Sequence, residues 1–326
     1  MPEHLLLGIE IGGTKLQLGL GRGDGRIVAH ERRTIEPASG AEGILAQIAA
    51  MADHLLSSRG NGRETIDAVG IGFGGPVDSV RGVVTTSHQV SGWDAFPLVA
   101  WIRERLGITL VSLQNDADTA GLGEARFGAG AGFSPLLYVT VGSGIGGGLI
   151  IDGEIYRGNG TGAMEIGHLE VALRTDHGLE IMSLESVASG WSIARRASRD
   201  ARRHLREGSP GLLLRLADGD PDHITAAYVA EAARQGDPQA AIHINRAVGA
   251  IAHALNLAIT LVAPRRIVLG GGVSLMASEL WLDPIRQHLR TMVFAPFQGT
   301  FDVVPAALGE LVVVHGALVS ARSLLD

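Results

Sequence analysis

The chain of 326 residues contains no cysteine. That absence removes disulfides, thiol catalysis and every cysteine-based zinc or iron–sulfur site at once. It also has no contiguous block of lysine and arginine, and its formal net charge is −7. A nucleic-acid partner is therefore not expected, because neutralising phosphates takes a basic face. The densest basic stretch, Arg195-Arg196 with Arg202-Arg203-His204, is interleaved with Asp200 and Glu207 and reads as a solvated helix face. No basic region precedes the first apolar run, and Leu5 to Ile11 is too short for a signal core or a membrane span. These absences predict a soluble cytoplasmic protein with no membrane partner.

Glycine is what the chain has in excess, at 46 residues, and many fall in clusters where strand-like runs end. Such clusters offer tight turns and exposed backbone amides. The length exceeds what one core ordinarily supports, so two lobes around a cleft are expected.

Leu5 to Ile11 and Leu16 to Leu20 read as two strands joined by Gly12-Gly13-Thr14-Lys15. This turn is not a Walker A loop, which needs a longer spacing and a following helix. Arg26 to Ile35 predicts a third strand, Ala41 to Leu56 a helix, and Ile66 to Phe73 a strand that runs into Gly74-Gly75-Pro76. A helix over Phe96 to Leu106 and a strand over Thr109 to Leu113 complete one α/β lobe. The opening pattern then recurs: Leu137 to Val141, the glycine-rich Gly142 to Gly148, and Leu149 to Ile151. That repeat suggests an internally duplicated fold. Gly142, Gly144 and Gly147 match G-x-G-x-x-G, as do Gly70, Gly72 and Gly75, but neither set opens a helix. Both are discounted as dinucleotide fingerprints.

Further on, a helix is expected from about Val187 into the basic stretch, another over Thr225 to Arg234, and a long one ending before Pro264. The strand Arg266 to Leu269 ends in a third cluster, Gly270-Gly271-Gly272. A final helix is expected to pack back onto the first lobe, which gives lobes of 1–115 (with about 312–326) and 116–311.

Gln114-Asn115-Asp116-Ala117 lies where a strand meets a helix expected over Asp118 to Phe127. Asn115 or Asp116 can be a helix cap, or Asp116 can be a general base held by two rigid elements. The clusters at Gly12, Gly142 and Gly270 are each explicable as turns, and jointly suit an anion site built from backbone amides. Thr14 and Lys15 can supply a hydroxyl and a point charge to phosphate oxygens, and Glu10 can bind hydrated magnesium or simply face solvent. Glu165 and His168 can chelate adjacent hydroxyls of a polyol, or be a surface acid and a buried, satisfied histidine. Glu185 reads as a further acceptor or as an ordinary first-turn acid.

With Gly8 to Lys15, Asn115-Asp116-Ala117 with Gly123-Glu124, Thr140 to Gly148, Glu165-Ile166-Gly167-His168 and Ile267 to Gly272 in order, the chain resembles the ROK family almost throughout. That family groups bacterial sugar kinases and sugar-responsive repressors on a duplicated ribonuclease-H-like (actin/hexokinase-type) α/β fold. The resemblance implies Asp116 as catalytic base, and Gly75, Asn115, Glu165, His168 and Glu185 around the sugar. It implies ATP on Gly12, Gly13, Thr14, Lys15, Thr140, Gly142, Ser143, Gly271 and Gly272, with Mg2+ between its phosphates. Members usually carry Asp at the position of Glu10, a small residue at Met164 and an Asn near Gln89. Many bind zinc through a His and a cysteine-rich loop, where this chain has Asp176, His177, Gly178 and Ser183, so no zinc is expected.

The expectation is an ATP-dependent hexose kinase of glycolytic type, glucokinase-like and acting at the 6-OH, most naturally a homodimer. Kinases for fructose, allose, N-acetylglucosamine or N-acetylmannosamine, a polyphosphate donor, and a non-catalytic sugar binder are the alternatives. A repressor would need a DNA-binding module, for which a first strand beginning by Leu5 leaves no residues.

Overall fold

A computed structural model describes residues 4–57, 65–87, 89–160, 162–175, 178–209 and 211–326. Asp176 and His177, which stand where the family's cysteine-rich loop is expected, lie outside the described residues.

In chain order the first elements are β1 (Leu6–Ile11), β2 (Lys15–Gly21), β3 (Ile27–Thr34), α1 (Gly40–Ser57), β4 (Ala68–Phe73), β5 (Val77–Asp78) and β6 (Val83–Val84). Then come α2 (Leu98–Leu106), β7 (Leu110–Asn115), α3 (Asp116–Phe127), β8 (Leu136–Val141), β9 (Ile145–Ile151) and β10 (Glu154–Ile155). After these follow β11 (Glu170–Thr175), β12 (Gly178–Ser183), α4 (Leu184–Ala188), α5 (Gly190–Arg206), α6 (Leu212–Leu216), α7 (Ala226–Arg234) and α8 (Pro238–Val262). The last are β13 (Arg266–Gly270), α9 (Leu282–Met292), β14 (Asp302–Pro305) and α10 (Val312–Arg322).

Two five-stranded sheets have the same pattern of order, β3-β2-β1-β4-β7 and β10-β9-β8-β13-β14, which is the duplicated ribonuclease-H-like arrangement expected. The chain divides into two compact units, one of residues 1–138, 148–163 and 306–326, the other of 139–147 and 164–305. The sequence boundary at 115/116 is thereby corrected. Helix α3 belongs with the first unit, because it packs against α10 and β4 there.

In the first unit β1, β2 and β3 run antiparallel, while β4 and β7 are parallel to β1. One sheet face is conventional: Leu7, Ile9, Ile11, Leu16, Leu18, Val69 and Ile71 pack with Ile44 and Ile48 of α1 and Ile102 of α2. The opposite face is carved out by glycines. A Cβ at Gly70 would stand 1.9 Å from the Ala317 carbonyl oxygen, and one at Gly8 would stand 2.8 Å from that of Val314. Helix α10 occupies the resulting trough, and α3 approaches it as closely. A Cβ at Gly316 would lie 1.7 Å from the Thr119 carbonyl oxygen, and one at Gly123 would lie 2.7 Å from that of Val312. Part of the glycine excess therefore serves helix-on-sheet packing inside strands, not the strand-end turns alone.

Two further expectations shift. The strand over Thr109 to Leu113 extends to Asn115, and α3 starts at Asp116, two residues early. The single helix expected from Val187 is instead α4 and α5, broken at Ser189. Extended backbone there lets the Ser189 side chain accept from the Ser192 amide, as Ser183 accepts from that of Ser186.

In the second unit α8 is long and apolar enough, by length and composition, to cross a membrane. It is instead packed by α4, α5, α7 and α9 along His243, Ala247, Ile251, Leu255 and Ile259, all buried. β11 and β12 pair antiparallel from Glu170↔Ser183 to Thr175↔Gly178.

Gly316→Ala should lower the unfolding free energy by about 3 kcal/mol, since the Thr119 carbonyl blocks the methyl. Gly249→Ala, on α8 with open space around it, should be neutral or stabilising by up to about 1 kcal/mol. Urea denaturation of both variants separates close-approach glycines from incidental ones.

Candidate functional site

In the first unit the ends of β1, β4 and β7 bring three turns together. Asn115 caps α3: its Oδ1 accepts from the amides of Ala117 at 2.9 Å and Asp118 at 3.4 Å. Its Nδ2 donates to the Gly75 carbonyl at 3.1 Å, which fixes the Gly74-Gly75 turn to the start of the helix. Thr119 Oγ1 donates to the Asn115 carbonyl at 2.7 Å. With Asn115 serving as the cap, Asp116 is left to point elsewhere. A Cβ placed on Gly74 would lie 3.3 Å from Asp116 Oδ2, 3.3 Å from the Ile11 carbonyl oxygen and 3.4 Å from Gly12 Cα. Any side chain there would cover the carboxylate.

Asp116 is partly buried, and its pKa is raised to about 7, first by burial and then by the negative charge of Glu10, against hydrogen bonds from the Ala117 and Asp116 amides. A carboxyl poised near neutrality is suited to proton transfer.

Glu10 does not face solvent, contrary to one reading of the sequence. It is 4% exposed, with Oε1 2.9 Å from Lys15 Nζ and Oε2 accepting from Gln17 Nε2 at 2.7 Å. Burial raises its pKa, while Lys15, Gln17 and Arg32 offset the rise. Lys15 is thus engaged with Glu10, and with the Glu310 carbonyl at 3.4 Å. Gln17 went unnoticed in the sequence because it sits in an apolar run. Its signal was register: with Ile11 paired to Leu16 across the Gly12–Lys15 turn, Gln17 falls directly opposite Glu10 in the β1–β2 ladder. Gln89 lies across the Gly13 turn, its Oε1 1.4 Å from where a Gly13 Cβ would stand.

Among the described residues no group of three or more His, Asp or Glu side chains could hold a metal. Mg2+ needs no such cage when phosphates supply its other ligands. The lone carboxylate of Glu10, with an ammonium on one oxygen and an amide on the other, fits contact through water rather than direct ligation.

In the second unit the Gly142-Ser143-Gly144 turn is closed by the Gly142 amide donating to the Gly144 carbonyl at 2.9 Å. The Gly190 amide, at the start of α5, donates to the Gly142 carbonyl at 2.7 Å. A Cβ on Gly190 would lie 3.3 Å from Val273 Cγ2, and one on Gly271 (φ +84) would lie 2.5 Å from the Val141 carbonyl carbon and oxygen. Two of the predicted glycine clusters therefore meet here, with Thr140, Gly142 and Ser143 on one side and Gly271 and Gly272 on the other. Glu185 lies in the first turn of α4, as one of its two readings had it, and its Oε2 accepts from the Ile145 amide at 2.7 Å. Glu165 and His168 are exposed on either side of a short 3-10 turn, so the histidine is not a buried core residue. Gly167 permits that turn to press on β9, since a Cβ there would lie 2.2 Å from the Ile145 carbonyl oxygen.

Two matching sheets with glycine turns at their strand ends define a protein of the duplicated ribonuclease-H-like class. The ROK family matches residues 6–323. A glucokinase of Thermotoga maritima is 34% identical over 325 residues, with 97% of each chain covered. A kanosamine kinase of Amycolatopsis mediterranei is 30% identical over 325 residues, covering 98% of this chain and 96% of that one. The crystal structure of a ROK family glucokinase from Streptomyces griseus, in complex with glucose and AMPPNP, is similar with a TM-score of 0.81 and 34% identity, covering 98% and 99% of the two chains. The chain belongs to the ROK family. It is a sugar kinase.

Because the folded state raises Asp116 above its ordinary value of 3.8 to about 7, it binds that proton more tightly than the unfolded chain. Stability should therefore fall as pH rises between those values, and the cost is complete above the upper one. Asp116→Asn removes it. The variant should be more stable than wild type by about 2 kcal/mol at pH near 8, allowing for partial exposure of the carboxyl, and by nothing near pH 3. Urea unfolding at the two pH values measures the difference.

Proposed function

We propose that this kinase transfers the γ-phosphoryl group of ATP to the 6-OH of glucose, with Asp116 as general base. The observation that carries the reading is the Asp116 carboxyl itself, fixed where a strand meets a helix, next to the Gly12 and Gly74 turns, with its pKa near neutrality. Glucokinase relatives and the glucose and AMPPNP complex support hexose and ATP as substrates.

Asp116 accepts the proton of the 6-OH as that oxygen attacks phosphorus in line, so the chain's contribution is mostly positioning and charge stabilisation. The first unit supplies the base, the second N–H of the Asn115 amide, and the Gly75 turn to the hexose. Glu165, His168 and the remaining oxygen of Glu185 accept from or donate to the other hydroxyls. The turns at Gly12-Gly13-Thr14, Gly142-Ser143 and Gly271-Gly272 present amides to the phosphates. Lys15 adds a charge from its place on Glu10. Mg2+, held through water by Glu10, would neutralise charge developing on the β- and γ-phosphate oxygens.

Coupled assays over a hexose panel, with ATP and with polyphosphate, should give the highest kcat/KM for glucose with ATP. A different preferred sugar or donor changes the substrate, and no turnover with any sugar removes the kinase reading. Asp116→Asn should keep glucose binding by calorimetry and lose about 10³-fold in kcat. Near-normal turnover would free Asp116 of its role.

The base must be ionised, so kcat/KM should rise with pH through a midpoint near Asp116's value of about 7. Glu10→Gln removes the neighbouring negative charge and should move that midpoint downward. An unmoved midpoint would exclude Glu10 as its cause.

A further inference from the structure

The carboxamide of Gln17 is 1% exposed. Burying such a group is costly unless each of its polar atoms finds a partner, and here all do. Nε2 donates to Glu10 Oε2 at 2.7 Å and to the Glu310 carbonyl at 2.9 Å. With both N–H groups committed, Oε1 must accept, and it faces His30 Nε2 at 3.0 Å. A neutral His30 is then fixed as the Nε2–H tautomer. Burial first, and Arg32 second, lower the pKa of His30, which favours that neutral ring.

The Glu310 carbonyl also lies 3.4 Å from Lys15 Nζ, the ammonium that holds the other oxygen of Glu10. Glu310 belongs to the segment through which the chain returns to the first unit before α10. Two and three residues earlier in that segment, the amides of Leu308 and Ala307 each donate to Glu124 Oε1 at 2.9 Å. Glu124 is wholly buried on α3, the helix that Asp116 begins, and its Oε2 accepts from the Ala129 amide at 2.6 Å. The return segment is thus fastened at one end to α3 and at the other to Lys15 and Gln17, the two donors that hold Glu10.

We propose that Gln17 is a positioning residue for phosphoryl transfer, holding Glu10 against Lys15 and tying both to the return segment that Glu124 anchors to α3. This rests on the kinase reading above. Gln17 touches neither sugar nor nucleotide in that reading and acts through its neighbours. Without it, Glu10 Oε2 and the Glu310 carbonyl lose their shared donor. Glu10 is then free to rotate and takes Lys15 with it, while the groups that hold the hexose are left in place.

The test uses the full chain. Long-range 1H–15N spectra of wild type should show His30 as the Nε2–H tautomer, and Gln17→Met, close in volume but without the amide, should lose that signature. The same variant, if still folded by circular dichroism, should lose about tenfold in kcat with glucose while its KM for glucose stays within about twofold. Gln17→Asn, one methylene shorter, should show the same split and serves if the first variant does not fold. An Nδ1–H tautomer in wild type, or a kcat within twofold of wild type in a folded variant, overturns the proposal. Wild type that turns over no hexose removes the kinase reading and this role with it, whereas active wild type beside unimpaired variants removes this role alone.

Discussion

The first unit depends on how closely α10 lies on its sheet. Gly8, Gly70 and Gly316 are places where no side chain fits, because backbone of the opposing element already stands within 3 Å of the missing Cβ. Glycine inside a strand or helix costs about 1 kcal/mol relative to alanine. That cost is offset only by close packing of long stretches of backbone and by the apolar contacts that flank them, such as Leu6, Val314 and Leu318. The contact also reaches the site. Gly316 sits on the Thr119 carbonyl, Thr119 Oγ1 holds the Asn115 carbonyl, and the next residue is Asp116.

Around that carboxylate the electrostatics pull in opposite directions. Burial disfavours ionisation of both Glu10 and Asp116, and the charge of Glu10 opposes that of Asp116 further. Lys15 and Gln17 relieve Glu10, and only backbone amides and the more distant Lys15 relieve Asp116. The proton is therefore held more firmly than usual where a base is wanted, and the ionised partner beside it is the residue best supplied with donors.

Much of this was legible in the sequence, because strands and turns advertise themselves locally. The two Gly-rich strand–turn–strand units gave away the duplication, and Asn115-Asp116 marked the strand–helix junction, where Asn115 proves to be the cap. What escaped notice depends on partners far along the chain. Gly70 in an apolar strand looks like weak β propensity until α10, some 240 residues later, is laid against it. Glu124 looks like an exposed helix acid until Ala307 and Leu308 bring it their amides. The lobe boundary was misplaced for the same reason: α3 follows β7 directly, yet its packing partner is α10. The solvent-facing reading of Glu10 failed because alternation predicts which face of a strand a residue lies on, and not what covers that face.

The order of these elements along the chain bears on how the protein is made. The trough on the first sheet stays open while the ribosome synthesises the whole of residues 164–305, since the helix that fills it comes afterwards. A nascent chain therefore exposes Leu6, Ala68 and the bare glycine backbone of β1 and β4 for as long as the second unit takes to emerge. At about 5–20 residues per second that is on the order of ten seconds. The second unit can complete its own core as it emerges, and the unit translated first is the one finished last.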